Sequence, residues 1–133
     1  DRDNTAICGS SMGGLISIYA LCEYPKVFGK AACLSTHWPI LFNNDNMNPS
    51  EAVRKYLTEK LPKAGDHKIY FDYGTKTLDQ FYEVHQTKVD EIMKFKKYKK
   101  DKDWVTKKYE GAEHNEKSWQ ERLPIVFKFL FIK

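Results

Sequence analysis

The stretch "ICGSSMGG", residues 7–14, decides how this chain is read. An apolar run of strand length, "TAICG" (5–9), leads straight into it, and "MGGLISIYALCEYP" (12–25), helix-length and apolar until Glu23, follows. Glycines ordinarily punctuate loops, yet these sit between two segments that both read as buried. A strand that turns sharply into a helix holds the residue at the turn at positive φ. Its neighbours two positions away must then be small, because strand and helix nearly touch. Gly9 and Gly13 flank Ser11 at that spacing, and Gly14 lets the helix lie close to the sheet. Ser11 is thereby presented at the C-terminal edge of a sheet, and the Met12 amide points where the oxyanion of a tetrahedral intermediate forms. Chance supplies on the order of 0.05 Gly-x-Ser-x-Gly matches in a chain of this length, so the placement between strand and helix carries the argument. Phosphate-loop readings fit worse: Ser11 stands where GxGxxG needs its second glycine, and no Gly-Lys-Ser/Thr follows.

Outward from the elbow, strands and helices alternate. "GKAACLS" (29–35) reads as a second strand, "NNDNMNP" (43–49) as a polar loop, and "SEAVRKYLTEKL" (50–61) as a helix with Ser50 as its N-cap. "HKIYFDYG" (67–74) is a third strand. A long helix from about Thr77 carries Leu78, Phe81, Tyr82, His85, Val89, Ile92 and Met93 at helical spacing. "DWVTKKYEG" (103–111) is a weaker fourth strand, and a helix over 119–131, capped by Ser118 and interrupted near Pro124, closes the chain. This alternation implies a parallel sheet covered on both faces.

A serine nucleophile needs a histidine to take its proton and an acid to orient that histidine, in the chain order Ser, acid, His. His67 precedes its strand and so sits at the wrong sheet edge; His85 lies on the apolar side of a helix and reads as a packed core residue. His37 follows the second strand but precedes any later acid, so it is read as lining the pocket. His114, between the last strand and the last helix, stands where the base belongs. The acid is sought after the third strand, in "FDYGTKTLDQFY", where Asp79 is favoured over Asp72. Both also have structural readings: Asp79 as a first-turn carboxylate beside a Thr77/Gln80 capping box, Asp72 as a buried carboxylate bonded to loop amides. Trp38 is read as a wall of the acyl pocket or as ordinary packing.

The bulk numbers exclude several classes. A chain of 133 residues is the size of one domain, and no stretch approaches the ~20 apolar residues that span a bilayer. The net charge of +4 comes from "KFKKYKKDKD" (94–103), a solvated lysine run without a nucleic-acid motif. No metal is implied: Cys8, Cys22 and Cys33 show no metal spacing and read as small core residues of a reduced protein. Localisation is not legible from the abrupt start "DRDNTAICG", with the cytoplasm slightly favoured.

"ICGSSMGGLISIYALCEYPKVFGKAACLSTHWP", "IYFDYGTKTLDQFY" and "GAEHNEKSW" together span most of the chain. In them it resembles the Putative esterase family of α/β-hydrolases, which includes enterochelin, feruloyl and acetyl-xylan esterases and S-formylglutathione hydrolases. The resemblance implies an α/β fold, the α/β-hydrolase three-layer sandwich with a mainly parallel sheet. It further implies Ser11 as nucleophile, His114 as base, an acid in the loop after Gly74, no cofactor, and a small-molecule ester as substrate. In the whole fold several strands precede the elbow, so residues 1–133 are expected to be the C-terminal portion of a single hydrolase domain. The first half of the sheet and the loop carrying the second oxyanion amide then lie elsewhere. The function expected is that of a serine carboxylic-ester hydrolase working through a Ser-His-Asp triad and an acyl-enzyme; the rival is a non-catalytic hydrolase-fold module that binds a ligand or partner in the same cleft.

Overall fold

Side-chain alternation in the strands sets the architecture. In the computed structural model, which describes residues 1–39 and 47–133, strands β1 (Ala6–Ser10), β2 (Lys30–Leu34), β3 (Lys68–Tyr73) and β4 (Trp104–Lys108) form one sheet. They pair in parallel in the order β1-β2-β3-β4. Four helices accompany them: α1 (Met12–Glu23), α2 (Asn48–Lys60), α3 (Glu83–Phe95) and α4 (Glu116–Phe131). Ala31, Cys33, Ile69 and Phe71 point to one face, where they pack with Ile18 and Leu21 of α1, Leu57 of α2 and Val89 and Met93 of α3. Ala32, Leu34, Tyr70 and Val105 point to the other, against Val126 and Leu130 of α4. The period of two thus divides one apolar set between two cores and gives the three layers expected of buried parallel strands.

Register brings the chemistry to one edge. Ser10 pairs with Leu34 and Leu34 with Asp72, while Tyr73 pairs with Lys108. The segments that leave the four strands, beginning at Ser11, Ser35, Gly74 and Tyr109, therefore emerge side by side at the C-terminal edge of the sheet.

Several boundaries differ from the sequence reading. α2 begins at Asn48, not Ser50, because Pro49 is suited to a first helical turn; Ser50 is buried, and its hydroxyl donates to the Met47 carbonyl at 3.0 Å. Of the polar loop read at 43–49, residues 43–46 lie outside the described residues, and Asn48 and Pro49 belong to α2. The long helix expected from Thr77 is split into a 3-10 turn (Thr77–Phe81) and α3, and Thr77, at φ 54°, is no helix cap. α4 starts at Glu116 because the Asn115 side chain, not Ser118, is the cap: it accepts from the Ser118 amide at 2.9 Å. Pro124 lies inside α4 without ending it, on the solvent side, where the carbonyl it leaves unpaired can meet water. Cys22 and Cys33 are buried as expected, but Cys8 is exposed. β1 is an edge strand, and α4 packs mainly on β2 and β3, with Ala6 of β1 at the margin of that core.

Candidate active site

The turn from β1 into α1 is as tight as the sequence demands. Ser11 stands at φ 59° and ψ −121°, a conformation costing on the order of 1–3 kcal/mol that surrounding contacts must hold in place. Its amide donates to the Leu34 carbonyl at 2.9 Å, and its carbonyl accepts from the His37 amide at 3.2 Å, which ties the elbow to the end of β2. A Cβ on Gly9 would collide with the Gly13 carbonyl, and one on Gly14 would lie 2.8 Å from Thr36 Oγ1. At Gly13 itself a Cβ would meet no described atom within 4 Å. The closeness at the elbow therefore falls on the strand residue facing the helix backbone and on Gly14, not on Gly13. Met12 opens α1, and first-turn amides have no partner within their own helix.

His114 reaches Ser11 because two loops are zipped together. The Thr75 and Lys76 amides both donate to the Ala112 carbonyl at 3.0 Å, and Thr75 Oγ1 accepts from the Gly111 amide at 2.8 Å. Thr77 Oγ1 accepts from the His114 amide at 2.7 Å. Gly74 permits this contact, since a Cβ there would overlap the Ala112 carbonyl. The result is a hydrogen-bonded series: Ser11 Oγ lies 2.9 Å from His114 Nε2, and His114 Nδ1 lies 2.6 Å from Asp79 Oδ1. A carboxylate only accepts, so the proton between them sits on Nδ1 and leaves Nε2 free to accept from the serine hydroxyl. The imidazole is held edge-on by Tyr82 and Trp119, with ring centroids 5.7 and 5.0 Å away.

The two candidate acids are buried for different reasons. Asp79 Oδ2 accepts from the Gly74 amide and from Ser35 Oγ, each at 2.6 Å, which leaves Oδ1 for the histidine. Asp72 is ion-paired instead with Arg122, Oδ1 to Nη2 at 2.8 Å. It also accepts from the Tyr70 hydroxyl at 2.8 Å and the Ser35 amide at 3.0 Å. Burial pushes the Asp72 carboxyl up to about 6, against the pull of the Arg122 guanidinium first and of those hydrogen bonds after it. The loop-amide reading of Asp72 is thus the one the structure gives, with an arginine added.

His37 is buried, its Nδ1 2.8 Å from the Tyr82 hydroxyl and its ring edge-on to that phenol. Trp38 lies in the core, 1% exposed, with its indole N–H donating to Gln86 Oε1 at 2.8 Å and its ring 5.8 Å from Phe71. Its packing role is the one described by these contacts. Sequence reasoning missed Tyr82, Ser35, Trp119 and Arg122. The available signals were a serine at the C-terminal end of β2 and an arginine on the apolar stripe of the last helix. Beside Met12 an apolar groove of about 540 Å³ runs between α1 and α2, lined among others by Leu15, Ile16, Tyr19, Val53 and Tyr56. Among the described residues no cluster of His, Cys, Asp or Glu has the makings of a metal site, and no helix is long and apolar enough to cross a membrane.

This sheet, this elbow and this order of strand-end loops are those of the α/β-hydrolase fold, and the comparisons with known proteins agree. Enterochelin esterase from Shigella flexneri is similar over 98% of this chain and 31% of its own, with a TM-score of 0.75 at 16% identity. A ferulic acid esterase is similar over 98% of this chain and 51% of its own (TM-score 0.67, 15% identity). S-formylglutathione hydrolase from Staphylococcus aureus is similar over 97% and 51% (TM-score 0.68, 15% identity). The chain thus spans between about a third and about half of these structures. No curated protein matches the sequence. The family model described as Putative esterase matches residues 1–130, and the chain belongs to that family.

Proposed function

We propose that this chain carries the nucleophile, base and acid of a serine carboxylic-ester hydrolase, and that residues 1–133 are the C-terminal portion of one hydrolase domain. Ser11 Oγ attacks the ester carbonyl as its proton passes to His114 Nε2, and the carbonyl electrons become an oxyanion facing the Met12 amide. Asp79 holds His114 in the required tautomer and stabilises the imidazolium. Collapse of the tetrahedral intermediate breaks the bond to the alcohol, which leaves with the proton from Nε2. Water, activated by the same imidazole, then releases the acid from the acyl-serine. The observation that carries this reading is the unbroken series Ser11 Oγ, His114 Nε2, His114 Nδ1, Asp79 Oδ1 at 2.9 and 2.6 Å. It is supported by the positive φ of Ser11 and by membership of an esterase family. The substrate class proposed is a carboxylic ester of a small molecule. A panel of p-nitrophenyl, feruloyl and acetyl-sugar esters tests this on the full-length protein. Hydrolysis of at least one, lost in Ser11→Ala, is expected; no hydrolysis of any, or hydrolysis that survives Ser11→Ala, contradicts it.

A further inference from the structure

We propose that Ser35 is a positioning residue for the reaction, its hydroxyl compelled by Arg122 and Trp119 to donate to Asp79 and so to fix the carboxylate that orients His114. The inference rests on the esterase reading above and deepens it.

A hydroxyl has one proton to give and two lone pairs to receive with. Ser35 Oγ receives Arg122 Nη2 at 2.9 Å and Trp119 Nε1 at 3.0 Å. Guanidinium and indole nitrogens only donate, so both lone pairs are taken and the rotor has no freedom left. Its proton has one remaining acceptor, Asp79 Oδ2 at 2.6 Å. The direction of this hydrogen bond therefore follows from the chemistry of the neighbours. Gly74 shares the same oxygen, and together the two donors turn Asp79 so that Oδ1 faces His114 Nδ1 at 2.6 Å.

The second buried carboxylate then acquires a purpose. Arg122 is 3% exposed, and a buried guanidinium is costly unless it is paired. Asp72 is that pair, and the same Arg122 Nη2 bonds both Asp72 Oδ1 and Ser35 Oγ. The Ser35 amide also donates to Asp72 Oδ1, at 3.0 Å, so the backbone and side chain of Ser35 are anchored from the same ion pair. Ser35 sits at φ 45°, where a branched side chain is disfavoured, and its side chain is fully buried. Order is thus relayed from Asp72 and Arg122 through Ser35 to Asp79 and His114.

The test uses Ser35→Ala and Ser35→Gly in the full-length protein; glycine accepts the positive φ, so at least that variant keeps the backbone. A lost hydrogen bond to a charged group predicts a fall in kcat of about 30-fold with KM little changed. In an Asp79→Ala background, where the acceptor is gone, the same substitution changes kcat less than about twofold. An undiminished kcat, or the same loss in both backgrounds, overturns the proposal. A second measurement does not depend on turnover. The far-downfield proton resonance of His114 Nδ1–H should move upfield in Ser35→Gly, and an unmoved resonance overturns the proposal. If the wild type hydrolyses no ester while this resonance does move, the esterase reading fails and the positioning of Asp79 by Ser35 stands.

Discussion

The two sides of the candidate site are built differently. On the side of β2, β3 and β4, Asp79, Ser35 and His114 are partnered entirely from within the chain, and the two loops that carry Asp79 and His114 are bonded to each other. On the side of β1, the strand pairs with β2 alone and Cys8 is exposed. There α1 leaves Met12, Ile16 and Tyr19 at 56%, 59% and 46% exposure along one helical face. The proposed acid–base pair, Asp79 and His114, lies in a polar network inside a packed core. Ser11, the proposed nucleophile, follows an edge strand beside an open apolar face. The geometry of His114 and Asp79 is therefore set by local contacts, whereas Ser11 depends on an elbow that has support on one side.

The largest effect that sharpens this contrast belongs to the closed side. Asp79→Asn is expected to lower turnover by about 10⁴-fold with little change in thermal stability, because it leaves His114 in the wrong tautomer. Steady-state kinetics and a melting curve of the same variant check both halves of that statement. Asp72→Asn should change kcat far less than Asp79→Asn does, because its partner is Arg122 and not His114. Equal effects on turnover would remove the distinction between the two carboxylates.

On the open side, residues 1–133 produced alone are expected to self-associate in size-exclusion chromatography, through the free β1 edge and the exposed face of α1. On the proposal that a second oxyanion amide lies outside these residues, their hydrolysis should also be slowed by roughly 10²–10³-fold relative to a longer chain that carries it. A monomeric and fully active 133-residue protein would break the contrast.

The smallest effect concerns pH. Burial lowers the His85 imidazole to about 4, with Arg54, Lys88 and His37 adding to it. The unfolded chain binds this proton first as pH falls, so the stability His85 contributes is present above about 6.5 and lost between there and about 4, up to about 3 kcal/mol. Asp72, raised to about 6, acts in the opposite sense over its own window: its contribution is present below about 3.8 and declines as pH rises to about 6. His85→Gln should therefore steepen the loss of stability on raising pH from 4 to 6. Unfolding titrations that show no change of slope would contradict the His85 assignment.

How much of this was legible in the sequence depends on range. The elbow was legible because its glycines and serine all fall within residues 9–14, and β2 and β3 because their apolar runs are buried on both faces. The choice of Asp79 over Asp72 could be argued but not decided, since it turns on which carboxylate the Gly111–His114 loop meets. That contact rests on Gly74 and Ala112, 38 positions apart in no recognisable pattern. Thr77 misled for a related reason: its hydroxyl resembles a helix cap in sequence but accepts from the His114 amide at 2.7 Å. The signals of Ser35 and Arg122 carried no assignment because only the meeting of the end of β2 with α4 joins them, with Trp119, at one hydroxyl.

The central claim is that Ser11 is a nucleophile activated by His114, and mass spectrometry of the full-length protein after treatment with a fluorophosphonate tests it most directly. The account predicts a single covalent adduct per chain, absent in Ser11→Ala and formed several orders of magnitude more slowly in His114→Ala. A wild-type protein that takes no adduct, or an adduct that persists in Ser11→Ala, would contradict it.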